Sequence, residues 1–145
     1  MTDEKKINVS VFNWGPCVIK LKIVDEFKKL LIDEGKKTTR DFRDKLAGIL
    51  DNEKGYDEES KKKVLPYMSQ YLGIYDQMYQ KYVLKPYEKR PEYVISALWV
   101  NYQKQHEFNP PHDHDGKLSF VVYLQIPEEL KKEHKAFTGK SCGPG

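Results

Sequence analysis

The stretch FNPPHDHDGKLSFVVYLQIP, from Phe108 to Pro127, decides how the rest of the chain is read. Its second half, Leu118 to Ile126, is a near-continuous apolar run closed by Pro127. Such a run, rich in β-branched and aromatic residues, predicts a buried strand. Its first half sets His112 and His114 two residues apart, with Asp113 and Asp115 interleaved. In extended backbone, residues i and i+2 point the same way. The two imidazoles then aim at one point and the two carboxylates at the opposite side. Imidazole suits iron, zinc, copper and nickel. Pro110 and Pro111 stiffen the approach, and Gly116 allows a bend into the strand. The same residues also make a good polar turn, and a metal site needs at least a third donor. Both readings stay open on the residues alone. His134 sits in KKEHK, which reads as a solvated helix face; His106 precedes the prolines and Cys142 lies in the tail. Nothing in the sequence fixes any of them beside the pair.

Working outward, YVISALWVNYQ (Tyr93 to Gln103) predicts a second apolar strand just upstream. KPYEKRPE before it is a loop by its prolines and charges. At the N-terminal end, INVSVF (Ile7 to Phe12) alternates apolar and polar residues, Gly15-Pro16 turns the chain, and VIKLKIV (Val18 to Val24) alternates again. Ile19, Leu21 and Ile23 share one face and Lys20 and Lys22 the other. From Asp25 the period becomes helical, with Val24, Phe27, Leu30 and Leu31 as the stripe and Gly35 as the stop. A second helix is expected from a cap at Thr38 or Thr39, with Phe42, Leu46, Ile49 and Leu50 on one side. DNEKGYDEES reads as a loop. The longest helical pattern runs through Val64, Leu65, Met68, Tyr71, Leu72, Tyr75, Met78, Tyr79 and Tyr82, with Pro66 in its first turn or kinking it. That tyrosine and methionine stripe is better read as a packing face with hydroxyls at its edge than as a ligand surface. After Pro127, EELKKEHK reads as a short polar helix or turn, and the tail TGKSCGPG shows no apolar periodicity. The expected order is β-β-α-α-α-β-β, an α+β domain with helices buttressing one sheet.

Composition narrows the classes. A chain of 145 residues supports one domain with a real core. Hydrophobic residues make up 39% and charged residues 32%, and the net charge is +3. Nucleic acid is therefore not indicated by bulk electrostatics. No apolar run approaches the roughly 20 residues a membrane span needs, and MTDEKK lacks the layout of a secretion signal. Two distant cysteines, Cys17 and Cys142, fit a reducing cytoplasm rather than a disulfide scaffold.

The segment from Trp99 to Pro127 resembles the core motif of iron(II)/2-oxoglutarate-dependent oxygenases, including phage-encoded members. The matching positions are Trp99 and Asn101, then Asn109, His112 and His114, then Leu118, Ser119, Tyr123, Leu124 and Pro127. The opening FNWGPCVIKLKI and the helices are similar to phage members as well.

The resemblance implies a double-stranded β-helix, a cupin-like jelly roll present in part, with N-terminal strands and packing helices outside it. Residues 1–90 would form strands and a helical buttress, and residues 91–145 the start of the jelly-roll core, all in one domain. It also implies iron(II) held by a facial triad, with open positions for 2-oxoglutarate and dioxygen. That chemistry turns 2-oxoglutarate into succinate and leaves a hydroxyl on an unknown substrate. His112 and His114 are the expected ligands, although the usual motif has a carboxylate two residues after its first histidine; Asp113 is the reserve, and Asp115 flanks the pair. Asn101 and Tyr123 are expected beside the metal, as contacts to the cosubstrate or as a strand-edge hydrogen bond and a core tyrosine. Lys117 reads as a surface lysine, with pairing to a carboxylate as its other reading. The family's distal histidine and its 2-oxoglutarate-pairing basic residue lie in later strands, so a truncated member with little activity alone is expected. Its open strand edges would take a second copy or a completing segment. The host-cell cytoplasm is the expected setting for a phage-encoded chain. A non-catalytic jelly-roll binding module and a different metalloenzyme using His-x-His are the alternatives.

Overall fold

The computed structural model describes residues 9–13, 15–45, 48–82, 92–130 and 132. Its contacts gather into two compact units, Met1–Asp113 and His114–Gly145.

The first unit opens with a hairpin. Strand β1 (Val9–Asn13) pairs antiparallel with β2 (Cys17–Leu21), in a register that sets Val9 opposite Leu21 and Asn13 opposite Cys17. Gly15 takes the turn at φ 123°, a region that side chains disfavour. Along β2 the expected alternation holds: Ile19 and Leu21 are half-buried, and Val18 and Lys20 are exposed. The strand stops at Leu21, short of the expected Val24.

Helix α1 (Asp25–Lys37) carries acids in its first turn and lysines in its last, which complements the helix dipole. Phe27 and Leu31 are buried as the stripe requires, and Phe27 is fully enclosed. Enclosing a phenylalanine contributes about 1.5–3 kcal/mol. Gly35 does not stop this helix. It lies inside, buried, and a Cβ there would sit 2.9 Å from the Tyr56 hydroxyl oxygen. The helix ends where Thr38 turns extended, and the Thr38 hydroxyl donates to the carbonyl of Gly55.

The helix expected after Thr38 is not formed among the described residues. Asp41 bridges to Lys54, a 3-10 turn covers Arg43–Lys45, and Ile49 bridges to Phe108 with its side chain 64% exposed. Of the expected stripe, Phe42 stacks on Trp99 at 5.9 Å and Leu50 is buried, while Leu46 lies outside the described residues. The expected loop DNEKGYDEES instead contains strand β3 (Glu53–Gly55).

Helix α2 (Glu58–Tyr82) matches the long pattern. Asp57 caps it, its carboxylate accepting from the Ser60 amide at 2.7 Å. Pro66 lies inside the helix, past its first two turns. Val64 and Met68 are buried. The aromatic face packs on α1: Phe27 stacks with Tyr67 at 5.1 Å and Tyr71 at 5.7 Å. The Val24 amide donates to the Tyr71 hydroxyl at 2.9 Å. The stripe is thus a packing face with hydroxyls at its rim.

Of the strand expected over Tyr93–Gln103, only β4 (Trp99–Asn101) forms. It pairs antiparallel with β3, with Gly55 opposite Trp99 and Glu53 opposite Asn101. The described residues therefore mix two helices with two small antiparallel sheets. The core lies where α1 and α2 meet the β3–β4 side, around Phe27, Leu31, Tyr56, Val64, Met68 and Leu98. The Tyr56 hydroxyl, buried, donates to the Leu31 carbonyl at 2.8 Å.

In the second unit, Leu118–Ile126 is not assigned to a strand, and its side chains are largely exposed, Val121 at 76% and Tyr123 at 77%. Residues 128–130 make a helical turn. The expected loop at 85–91, His134 and the tail with Cys142 lie outside the described residues. No helix among the described residues is long and apolar enough to cross a membrane.

Candidate functional site

The approach to the histidines is anchored residue by residue. β4 delivers Asn101, half-buried, opposite Glu53. The Tyr102 amide then donates to the Asn52 carbonyl at 3.0 Å. Glu107 folds the following turn around itself: its carboxylate accepts from the Asp51 amide at 3.1 Å and from the Lys104 amide at 2.6 Å, and its carbonyl accepts from the Gln103 side chain at 2.6 Å. His106 occupies that turn at φ 68°, an uncommon conformation for a side-chain-bearing residue, and it is exposed. The Ile49 amide next donates to the Phe108 carbonyl at 3.0 Å. Two prolines follow, and then His112.

His112 is exposed, and its ring is oriented locally. Nδ1 lies 2.6 Å from the Pro110 carbonyl oxygen. A carbonyl only accepts, so Nδ1 carries the hydrogen, and in the neutral ring the lone pair falls to Nε2. Metal-bound histidines commonly have this arrangement, with the second nitrogen held by a carbonyl or carboxylate that fixes tautomer and ring direction.

Asp113 closes the first unit and His114 opens the second, so His112 and His114 belong to different units. Asp113, His114, Asp115 and Lys117 are all exposed, and Gly116 turns at φ 106°. Tyr123 is exposed too, not a core tyrosine. Among the described residues, no three His, Cys, Asp or Glu side chains are gathered as a metal ion would require. Two imidazoles alone do not complete a facial triad, so the described donor set falls short of the iron site that the resemblance implies.

A surface cleft of about 270 Å³ lies elsewhere in the first unit, lined by Arg40, Phe42, Tyr56, Lys61, Ser96 and Leu98 among others. It contains none of His112, His114, Asn101 and Tyr123. Its cations are already engaged: Arg40 stands over the Phe42 ring at 5.4 Å, and Lys61 bonds Glu58 at 2.7 Å and the Ser96 carbonyl at 3.1 Å.

One polar group near Asn101 escaped the sequence reading. Glu53 is 2% exposed, and its Oε1 is buried without a hydrogen-bond partner, as is Oδ1 of Asn101. Burial pushes the Glu53 carboxyl up from its ordinary range, the Asp41 charge adds to this, Arg43 opposes it, and Glu107 adds again. β3 contains no apolar residue, so no periodicity could have marked Glu53 as buried.

Comparison with protein-family models, curated proteins and solved structures finds no match to this chain.

Proposed function

We propose that this chain carries the metal-binding part of an iron(II)/2-oxoglutarate-dependent oxygenase, with a partial jelly roll as its scaffold. His112 and His114 supply two imidazoles, and a third donor comes from outside the described set. Asn101 and Tyr123 face the cosubstrate, and the product is a hydroxylated molecule of unknown class. The observation that carries this reading is the Nδ1–H bond from His112 to Pro110 at 2.6 Å, which orders one ligand in a metal-competent tautomer at an exposed position. The combined motif from Trp99 to Pro127 adds to it. When bound, iron(II) would supply a centre for 2-oxoglutarate and dioxygen. The residues' own task is to orient: Pro110 and Pro111 limit the backbone, and the Glu107 turn fixes the chain that leads to them. A reducing cytoplasm suits iron(II) and the free thiol of Cys17. The exposed apolar run Leu118–Ile126 is where a second copy or a completing segment would add a strand.

The test is an anaerobic iron(II) titration with and without 2-oxoglutarate, run on the wild type, His112→Ala and His114→Ala. Iron binding that 2-oxoglutarate tightens and that each substitution weakens at least about tenfold is the expected result. Binding indifferent to 2-oxoglutarate would favour a different His-x-His metalloenzyme. Absence of binding would leave the binding-module reading.

A further inference from the structure

Glu53 and Asn101 are direct partners across the β3–β4 ladder. Directly opposed residues project from the same face, with Cβ atoms about 4.5–5.5 Å apart. Each brings a buried oxygen that has no donor. Two acceptor oxygens brought together on one face in a dry setting would repel, and a buried acceptor left unpaired costs about 1–3 kcal/mol. One hydrogen placed between them removes both defects.

We infer that Glu53 is held as a neutral carboxylic acid in the folded chain and donates its proton to the side-chain oxygen of Asn101, forming a latch between β3 and β4.

The charges that face Glu53 agree. From the segment before β3 come Asp41 and Arg43, and from the turn after β4 comes Glu107. Arg43 is committed to Asp41, at 3.0 and 3.1 Å through Nε and 2.6 Å through Nη2. Glu107 is an acid engaged with backbone amides. Among the described residues no ion pair reaches Glu53. An ionised Glu53 would therefore be buried beside two other acids, with its one neighbouring cation already taken. The latch also orients Asn101, because an oxygen turned toward Glu53 turns the amide nitrogen away from it. The inference does not depend on the oxygenase reading.

Because the folded carboxyl is raised, the stability it contributes is complete below the unfolded value and is lost as pH rises through the folded value. Above that pH the acid ionises and the β3–β4 pairing weakens.

The experiment follows the Glu53 side-chain carboxyl carbon by NMR in the full chain over a pH titration. Alongside it, urea unfolding of the wild type and Glu53→Gln is measured across the same range. Exposed glutamates titrate near about 4.3. Glu53 is expected to remain protonated there and to ionise only at higher pH. Glu53→Gln, whose amide replaces the acid as a donor, is expected to keep the wild-type unfolding constant at pH 5 within about threefold and to lose the decline at higher pH. Titration of Glu53 together with the exposed glutamates would overturn the inference. So would a tenfold or greater loss of stability in Glu53→Gln at pH 5, since it would mean that Asn101 donates through its nitrogen to a carboxylate. If the variant does not fold, the wild-type titration alone decides.

Discussion

Two buried glutamates show how much a residue's partners matter. Glu34 and Glu53 are nearly equally enclosed, yet their carboxyls move in opposite directions. Glu34 accepts from Lys37 at 2.6 Å, from the Ser60 hydroxyl at 2.8 Å and from Lys63 at 3.3 Å. These donors outweigh burial, and the carboxyl falls from 4.5 to about 2, with Lys37 the largest cause. Its folded value lies below the unfolded one, so its contribution to stability is present above about 4.5 and disappears as pH falls toward 2. Glu34→Gln keeps a partner for Ser60 but gives up both lysines. The urea midpoint of that variant is expected to be lower than wild type at neutral pH and to vary less between pH 4.5 and 2. A midpoint that falls with acid as steeply as the wild type's would assign the acid sensitivity to other groups. None of this was legible in the sequence, where both residues sit in polar, charged stretches. What makes one an ion-pair centre and the other a proton holder is the company that folding brings.

At the scale of elements, the two helices and the first hairpin were legible because each carries its own period. Phe27 and Leu31 mark α1, Val64 and Met68 mark α2, and Ile19 and Leu21 mark β2. β3 was not legible, because Glu53-Lys54-Gly55 has no apolar side chain and is extended only through its partners. The Phe42 amide donates to the Glu53 carbonyl, the Gly55 amide donates to the Arg40 carbonyl, and β4 pairs on the other side. The stripe Phe42, Leu46, Ile49, Leu50 misled for the converse reason: its spacing suits a helix, but Phe42 is drawn to Gly55 and Trp99 while Ile49 pairs with Phe108. The contact at Gly55 gives a direct test. A Cβ there would lie 2.7 Å from a Phe42 ring carbon, and that ring is already stacked against Trp99. Gly55→Ala is expected to destabilise the chain by about 1–3 kcal/mol, the usual cost of overpacking. Urea unfolding would read this, and relief of the loss by Phe42→Leu in the double variant would assign it to that contact.

For the molecule as a whole, the His-x-His pair could be read from the sequence because adjacent prolines and a glycine frame it. The fate of the apolar run beside it could not. Leu118–Ile126 has the composition of a buried strand, but composition supplies only one side of a ladder, and strand propensity expresses packing against neighbours more than any intrinsic backbone preference. Among the described residues, no ladder takes it up, and Val121 and Tyr123 face solvent. Protection against hydrogen exchange should therefore divide the chain. Amides inside α1 and α2, backed by the enclosed Phe27 and Val64, are expected to exchange slowly. Amides of Leu118–Ile126 in a dilute sample are expected to exchange at least about a hundredfold faster, because helical hydrogen bonds over a packed core must open first and unladdered amides need not. Hydrogen exchange followed by mass spectrometry over a dilution series checks both halves. Slow exchange in 118–126 that persists on dilution would show the run already paired within one chain, and would remove the reason to expect an added strand there. Slow exchange that appears only on concentrating the sample would identify the added strand as a second copy, the arrangement that an open apolar edge invites.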